Sequence, residues 1–172
     1  MKFLTAIGAG ITKMNFWIAR VVSYLIYPII AVIVIEVFFR YVLNNPTPYT
    51  YDASWMMYGA LIFLGGAYAL ADDVHVRADI FYNMLKNRGK FIINVICYPL
   101  FFFSAMAALL YATYGQLINA FVFGEMSTVT SFRPLMWPIR AILFFSFVIL
   151  TLQGLVKFFG IIRTFFSGGD IK

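Results

Sequence analysis

The chain has 172 residues, of which 63% are hydrophobic and 12% are charged, with a formal net charge of +6. Soluble domains are about 45–50% apolar and about 25% charged, so this composition excludes an ordinary soluble domain. The apolar runs are too long for barrel strands and do not alternate with polar residues, which indicates an α-helical integral membrane protein. The basic residues flank these runs, which is typical of membrane topology and does not predict nucleic-acid binding.

The first predicted span covers residues 16–39 and contains Pro28, which removes one backbone hydrogen bond. Before it, apolar residues at helical spacing favour either a short interfacial helix or an extension of the span. Glu36 and Arg40 are four residues apart at its far end, and an ion pair is expected because an unpaired carboxylate near the membrane boundary is costly. Docking of a partner is the alternative role for this pair.

The second predicted span covers residues 53–71 and is rich in small residues. Asp52 precedes it, and we expect its carboxylate to cap the helix by accepting bonds from free backbone N–H groups. Small residues four apart let helices approach closely in lipid, so this span is predicted to pack against another helix of this chain or of a partner. The positions assigned to packing against a partner are Gly59, Gly65, Gly66 and Ala69.

After the second span the chain becomes polar and contains its only histidine, His75. Apolar residues then share one helical face, which predicts a short amphipathic helix over about 76–88 in the plane of the membrane interface. His75 is interpreted as a boundary residue bonded to a neighbouring carboxylate or backbone group. Metal binding or proton relay is the alternative.

Two further spans complete the predicted topology. The third covers about 91–120 within an uncharged run of 33 residues. Such a helix would be roughly 50 Å long, so it must tilt, bend or protrude from a hydrocarbon core of about 30 Å. The fourth covers 139–159 and contains Gln153, interpreted as a polar contact between helices.

Four spans place both termini and the middle loop on one side of the membrane. That side carries ten of the thirteen basic residues, so the positive-inside rule predicts cytoplasmic N- and C-termini. The other two loops are predicted to face outward. The candidates there for contact with a soluble partner are Arg40, Asp52, Glu125 and Arg133.

Several kinds of membrane chemistry lack their usual residues here. One histidine and one cysteine cannot supply paired haem ligands or a dithiol, and no glycine-rich phosphate loop is present. No span has a charge at its centre, where self-sufficient transporters usually place one. We therefore expect a non-catalytic accessory subunit without cofactor or metal. An independent homo-oligomeric transporter or channel and a membrane enzyme are the alternatives.

Five segments together resemble the small membrane subunit of tripartite ATP-independent periplasmic (TRAP) transporters. They are EVFFRYVLN at 36–44, YD at 51–52, LGGAYAL at 64–70, HVRAD at 75–79 and LQGL at 152–155. The motif positions are Glu36, Arg40, His75, Arg77, Asp79 and Gln153. Many relatives look to have Glu before the second span, where this chain has Asp52, which keeps the charge on a shorter side chain.

The resemblance implies a bacterial inner-membrane complex. A large membrane subunit would hold the substrate and ion sites, and a periplasmic binding protein would capture an organic acid and dock on the outer face. An ion gradient, with sodium expected, would drive import, and the small subunit would brace the static part of the transporter. Residues 51–70 and the GEMS loop look most like subunits paired with binders of 2-oxoacids or related monocarboxylates; C4-dicarboxylates and sialic acid stay open.

Overall fold

The computed structural model describes residues 2–72 and 86–169. This part of the chain is helical, and four stretches are long and apolar enough to cross a membrane, which confirms the predicted fold class. The helices are α1 (Lys2–Ser23), α2 (Ile26–Tyr41), α3 (Thr50–Ala71), α4 (Asn87–Cys97), a π-helical segment (Tyr98–Phe103), α5 (Ser104–Val122) and α6 (Trp137–Phe166).

The first spanning stretch, Ala6–Tyr41, is built from α1 and α2. Helix α1 continues through Lys13 without a break, so the N-terminal residues extend the first span, one of the two arrangements predicted. The interruption falls at Tyr24 and Leu25, where the backbone makes tighter bonds to residues three positions earlier. Pro28 explains the position, because a proline ring clashes with the carbonyl four residues before it, here that of Tyr24.

Helices α3 and α6 take part in most of the contacts between helices of the bundle. Helix α3 packs against α1, α2 and α6, whereas α6 also contacts α1, α4 and α5. Ala60 and Ala67 lie buried on α3, and their small side chains allow neighbouring helices to approach closely. Large apolar side chains point outward instead, among them Tyr27 and Phe101. This distribution suits a protein surrounded by lipid.

The third spanning stretch, Asn87–Val122, is longer than the predicted 91–120. Pro99 lies at the start of the π-helical segment, which shows how the chain accommodates a residue without a backbone N–H inside a long helix. The segment places Phe102 against α6 at Gly154. A Cβ on Gly154 would lie 2.2 Å from Cε1 of Phe102, so any larger residue would force this ring to move.

The loop between α5 and α6, residues 123–136, is folded on itself. Gly124 begins it in the left-handed backbone region, with φ +60°. Within the loop the Ser127 N–H donates to the Pro134 carbonyl, and at its end the Met136 N–H donates to the carbonyl of Glu125. These bonds give the loop a defined shape from which side chains can reach α3.

The predicted amphipathic helix over 76–88 falls mostly outside the described residues. At its end, Asn87 already begins α4. Helix α6 continues to Phe166, seven residues beyond the predicted end of the fourth span. Hydropathy marks the lipid-embedded part of a helix, whereas backbone hydrogen bonding continues past it into the polar interface.

Candidate interaction site at the two-loop end

Loops 42–49 and 123–136 lie at the same end of the bundle, which we call the two-loop end, and Asp52 lies there in the first turn of α3. Its side chain is completely buried, with 0% exposure. Oδ1 accepts hydrogen bonds from Trp55 Nε1 at 3.0 Å and from Ser127 Oγ at 2.9 Å, and Oδ2 accepts one from the Thr130 hydroxyl. A carboxylate on α3 therefore holds the loop between α5 and α6.

The sequence-based role of Asp52 as a helix cap is wrong. Helix α3 begins at Thr50, and Tyr49 precedes it without a side-chain cap, so Asp52 lies inside the first turn. A negative charge there still suits the positive end of the helix dipole. Its oxygens are occupied by side chains of this chain, so the structure offers a partner no exposed surface on this carboxylate.

Glu36 organises the second polar cluster at the same end. Its Oε1 accepts hydrogen bonds from Arg40 Nε at 2.9 Å and Arg40 Nη2 at 2.6 Å, which confirms the predicted ion pair. Its Oε2 accepts one from the Thr47 backbone N–H at 2.9 Å and another from the Thr47 hydroxyl. Glu36 thus holds loop 42–49 as Asp52 holds loop 123–136.

Glu125 and Arg133, the other two predicted contact residues, differ in their surroundings. Arg140 Nη2, at the start of α6, donates to Glu125 Oε1 at 2.5 Å. Arg133 is exposed and has a left-handed backbone, with φ 47°. Within residues 2–72 and 86–169, no hydrogen bond or ion pair of the Arg133 side chain is found.

An open groove of about 520 Å³ lies between the two loops. Its polar lining consists of the Glu36–Arg40 ion pair and of hydroxyl residues, which are Thr47, Thr50, Tyr51, Ser54, Thr130 and Ser131. Hydroxyl groups and a guanidinium donate hydrogen bonds well to carboxylates and to peptide carbonyls. The groove is therefore the candidate site for a partner at this end of the molecule.

Gln153 forms a polar contact inside the bundle, as the sequence predicts for it. Its Oε1 accepts a hydrogen bond from Asn15 Nδ2 at 2.8 Å, and the Thr12 hydroxyl lies 3.5 Å from the same oxygen. Gln153 and Asn15 are both fully buried. The contact joins α1 to α6 where apolar side chains alone would not specify their register.

The small residues assigned to packing against a partner fall into two groups. A Cβ on Gly59 would lie 3.7 Å from Ile139, so this glycine already faces α6. A Cβ on Gly65 or Gly66 would meet nothing within 4 Å. Ala69 is partly exposed, four residues from Gly65. The last three positions leave room beside α3 for a helix from outside this chain.

Three motif positions, His75, Arg77 and Asp79, lie outside the described residues. Sequence reasoning missed the hydroxyl partners of the two carboxylates, Thr47, Ser127 and Thr130, and the buried Asn15. The only local signal was the run STVTS at 127–131, which is rich in hydroxyl groups beside a membrane span. Ser127 and Thr130 lie 75 or more residues from Asp52, and Asn15 lies 138 residues from Gln153. Thr47 lies 11 residues from Glu36, beyond the end of α2, so helical periodicity predicts none of these contacts.

The fold and the polar clusters define a multi-pass helical membrane protein whose acidic groups hold two loops at one end. The family model described as "Tripartite ATP-independent periplasmic transporters, DctQ component" matches residues 29–164. The chain belongs to this family and is a small membrane component of a TRAP transporter. No curated protein matches the chain. The family match begins within α2 and leaves α1 outside it.

Proposed function

We propose that this chain is the non-catalytic small subunit of an importer that also contains a large membrane subunit and a periplasmic binding protein. The carrying observation is the family match over most of the chain, from α2 to α6. The large subunit would hold the substrate and ion sites, with an organic acid as substrate and sodium as the coupling ion. The membrane would be the bacterial inner membrane, with both termini cytoplasmic, as the distribution of basic residues predicts.

A scaffold role is supported by the way the helices are interlocked. The Asn15–Gln153 contact joins α1 to α6, Phe102 is seated against Gly154, and Asp52 joins α3 to the loop before α6. The first two contacts meet α6 at the adjacent residues Gln153 and Gly154, and the third lies at the two-loop end. A bundle held in this way resists relative sliding of its helices, which suits a part that stays still while another part moves.

The open side of α3 is the proposed packing surface for a helix of the large subunit. Gly65 and Ala69 are small and four residues apart, and Tyr58 and Ile62, one to two turns earlier, are largely exposed. Small residues beside larger apolar ones form the kind of surface on which membrane helices pack closely. The remaining exposed apolar surface, including much of α2, would contact lipid.

The test is recovery of this chain, tagged at its C-terminus, from native membranes in mild detergent. We expect a large membrane protein in roughly equal amount, and sodium-dependent organic-acid uptake when that pair is reconstituted with its binding protein. Uptake of 2-oxoacids, C4-dicarboxylates and sialic acid would then be compared. Recovery of this chain alone, as a homo-oligomer that transports in liposomes, would overturn the subunit assignment.

A further inference from the structure

The charges at the two-loop end cancel formally but are not equally accessible. Three carboxylates and three guanidiniums lie there, on Glu36, Asp52, Glu125, Arg40, Arg133 and Arg140. Asp52 is fully buried, and the Glu36 side chain is 10% exposed. The surface that a partner meets is therefore set by the groups that remain in contact with solvent.

The exposed groups are mostly cationic. Arg40 contacts Glu36 with one edge of its guanidinium, yet its side chain remains 56% exposed and lines the groove. Arg133 projects from loop 123–136 as an exposed residue. Glu125 and Arg140 are 41% and 21% exposed and in direct contact, so their opposite charges offset each other. Arg40 is thus the more exposed member of its ion pair, and Arg133 is an exposed cation for which the described residues supply no ion pair.

We propose that the two-loop end docks an acidic patch of the soluble binding protein, with Arg133 on loop 123–136 and the exposed edge of Arg40 in the groove as the cationic contacts. This deepens the proposed function, because it states the charge of the partner's docking surface. The hydroxyl groups of Tyr51 and Ser131 line the same groove and supply neutral donors to carboxylate or peptide oxygens.

Such a surface acts mainly on the rate of encounter. Opposite charges at the edge of an interface raise the association rate and make it depend on salt, whereas they add little to the lifetime of the complex. Asp52 holds loop 123–136, which carries Arg133, and Glu36 holds Arg40 on α2, so both cations have a defined position. Fast association and fast release suit a soluble partner that must dock repeatedly.

The experiment uses the complex of this chain with the large subunit in nanodiscs of zwitterionic lipid, with its binding protein as the soluble analyte. Association rates are measured at low and high salt. Arg133→Asn removes the charge and keeps a residue type that tolerates a left-handed backbone. We expect this variant to associate about two- to fivefold more slowly at low salt, with a weaker salt dependence. Arg133→Glu is expected to slow association further.

Two controls separate charge from general damage. Arg133→Lys keeps the charge and should associate as the wild type does. Arg163→Asn removes an exposed charge at the opposite end of α6 and should also leave association unchanged. A wild-type rate in Arg133→Asn, or faster association in Arg133→Glu, would overturn the proposal.

The outcomes also separate this proposal from the proposed function. If the large subunit is not recovered, or the wild-type complex binds no soluble protein, the proposed function fails and the docking surface fails with it. If the wild-type complex binds its soluble partner at a rate insensitive to salt, only the acidic-patch proposal fails. Arg133 variants that lose binding to anionic vesicles but keep normal docking of the binding protein would identify lipid headgroups as the ligand of Arg133. That result would also overturn the acidic-patch proposal.

Discussion

Asp52, in the first turn of α3, accepts a hydrogen bond from Ser127, which lies 75 residues further along the chain. The bond is buried and fastens the loop between α5 and α6 onto α3. Because Thr130 donates to the same carboxylate, one side chain determines the position of much of that loop. Glu36 and Thr47 do the same for the other loop, so the shape of the two-loop end depends on two acidic residues.

Replacing Asp52 by alanine should loosen loop 123–136. The substitution leaves the donors of Trp55, Ser127 and Thr130 without their acceptor, and we expect a loss of about 2–3 kcal/mol in stability. The measurement is thermal unfolding in detergent together with limited proteolysis of the loop. Association with the binding protein should weaken while assembly with the large subunit continues.

Glu125→Ala, which removes a more exposed ion pair, should cost about 1 kcal/mol or less. Equal losses in the two variants would contradict the central role of Asp52.

Replacing Gly154 by alanine should destabilise the bundle through overpacking. The added Cβ would overlap the Phe102 ring, and strain of this kind costs about 1–3 kcal/mol. Gly160→Ala is the matched control on the same helix, because a Cβ there meets nothing within 4 Å. The measurement is thermal unfolding of the two single variants and of the double variant Gly154→Ala/Phe102→Leu. Leucine is smaller than phenylalanine, so the double variant should regain part of the stability that Gly154→Ala loses. If it regains none, the Phe102 ring is not the cause.

Replacing Gly65 by leucine should prevent association with the large subunit without unfolding this chain. A side chain at this position has open space within the chain, so the isolated subunit should keep its melting temperature. The packing of a partner helix against α3 would be blocked, because close approach depends on small residues. Co-purification ratios provide the measurement, with Gly65→Ala expected to retain more of the partner.

Gly115→Leu, on α5 and also in open space, is the control and should co-purify normally. Normal recovery of Gly65→Leu would place the interface elsewhere.

Replacing Gln153 by leucine should weaken the contact between α1 and α6. The Asn15 amide would lose its acceptor, and interhelical hydrogen bonds in membranes contribute about 0.6 kcal/mol on average, with a maximum of about 1.7. A double-mutant cycle with Asn15→Leu isolates the pairwise energy. We expect a coupling energy of about 1 kcal/mol from unfolding in detergent, because both residues are fully buried. Additive losses in the double variant would show that the two amides act independently.

The class of the molecule, the number of its spans and its family resemblance could all be predicted from the sequence. Long uncharged apolar runs are a local property of the chain, and their lengths alone require membrane-crossing helices. The Glu36–Arg40 ion pair was also predictable, because four residues of helix bring two side chains onto one face. Gln153 was recognisable as a polar contact, since an amide inside a span needs a hydrogen-bonding partner.

The contacts that these residues make depend on the packing of the helices and could not be predicted from local patterns. The sequence placed Asp52 at a helix start as a cap and as a partner contact, whereas the fold buries it beneath a loop that begins more than seventy residues later. It treated Gly59 and Gly65 alike, whereas the fold turns one toward Ile139 and leaves the other open. Hydropathy and helical spacing act over a few residues, but the neighbours of a side chain depend on how whole helices pack. That packing is set by contacts between distant segments, which no local pattern contains.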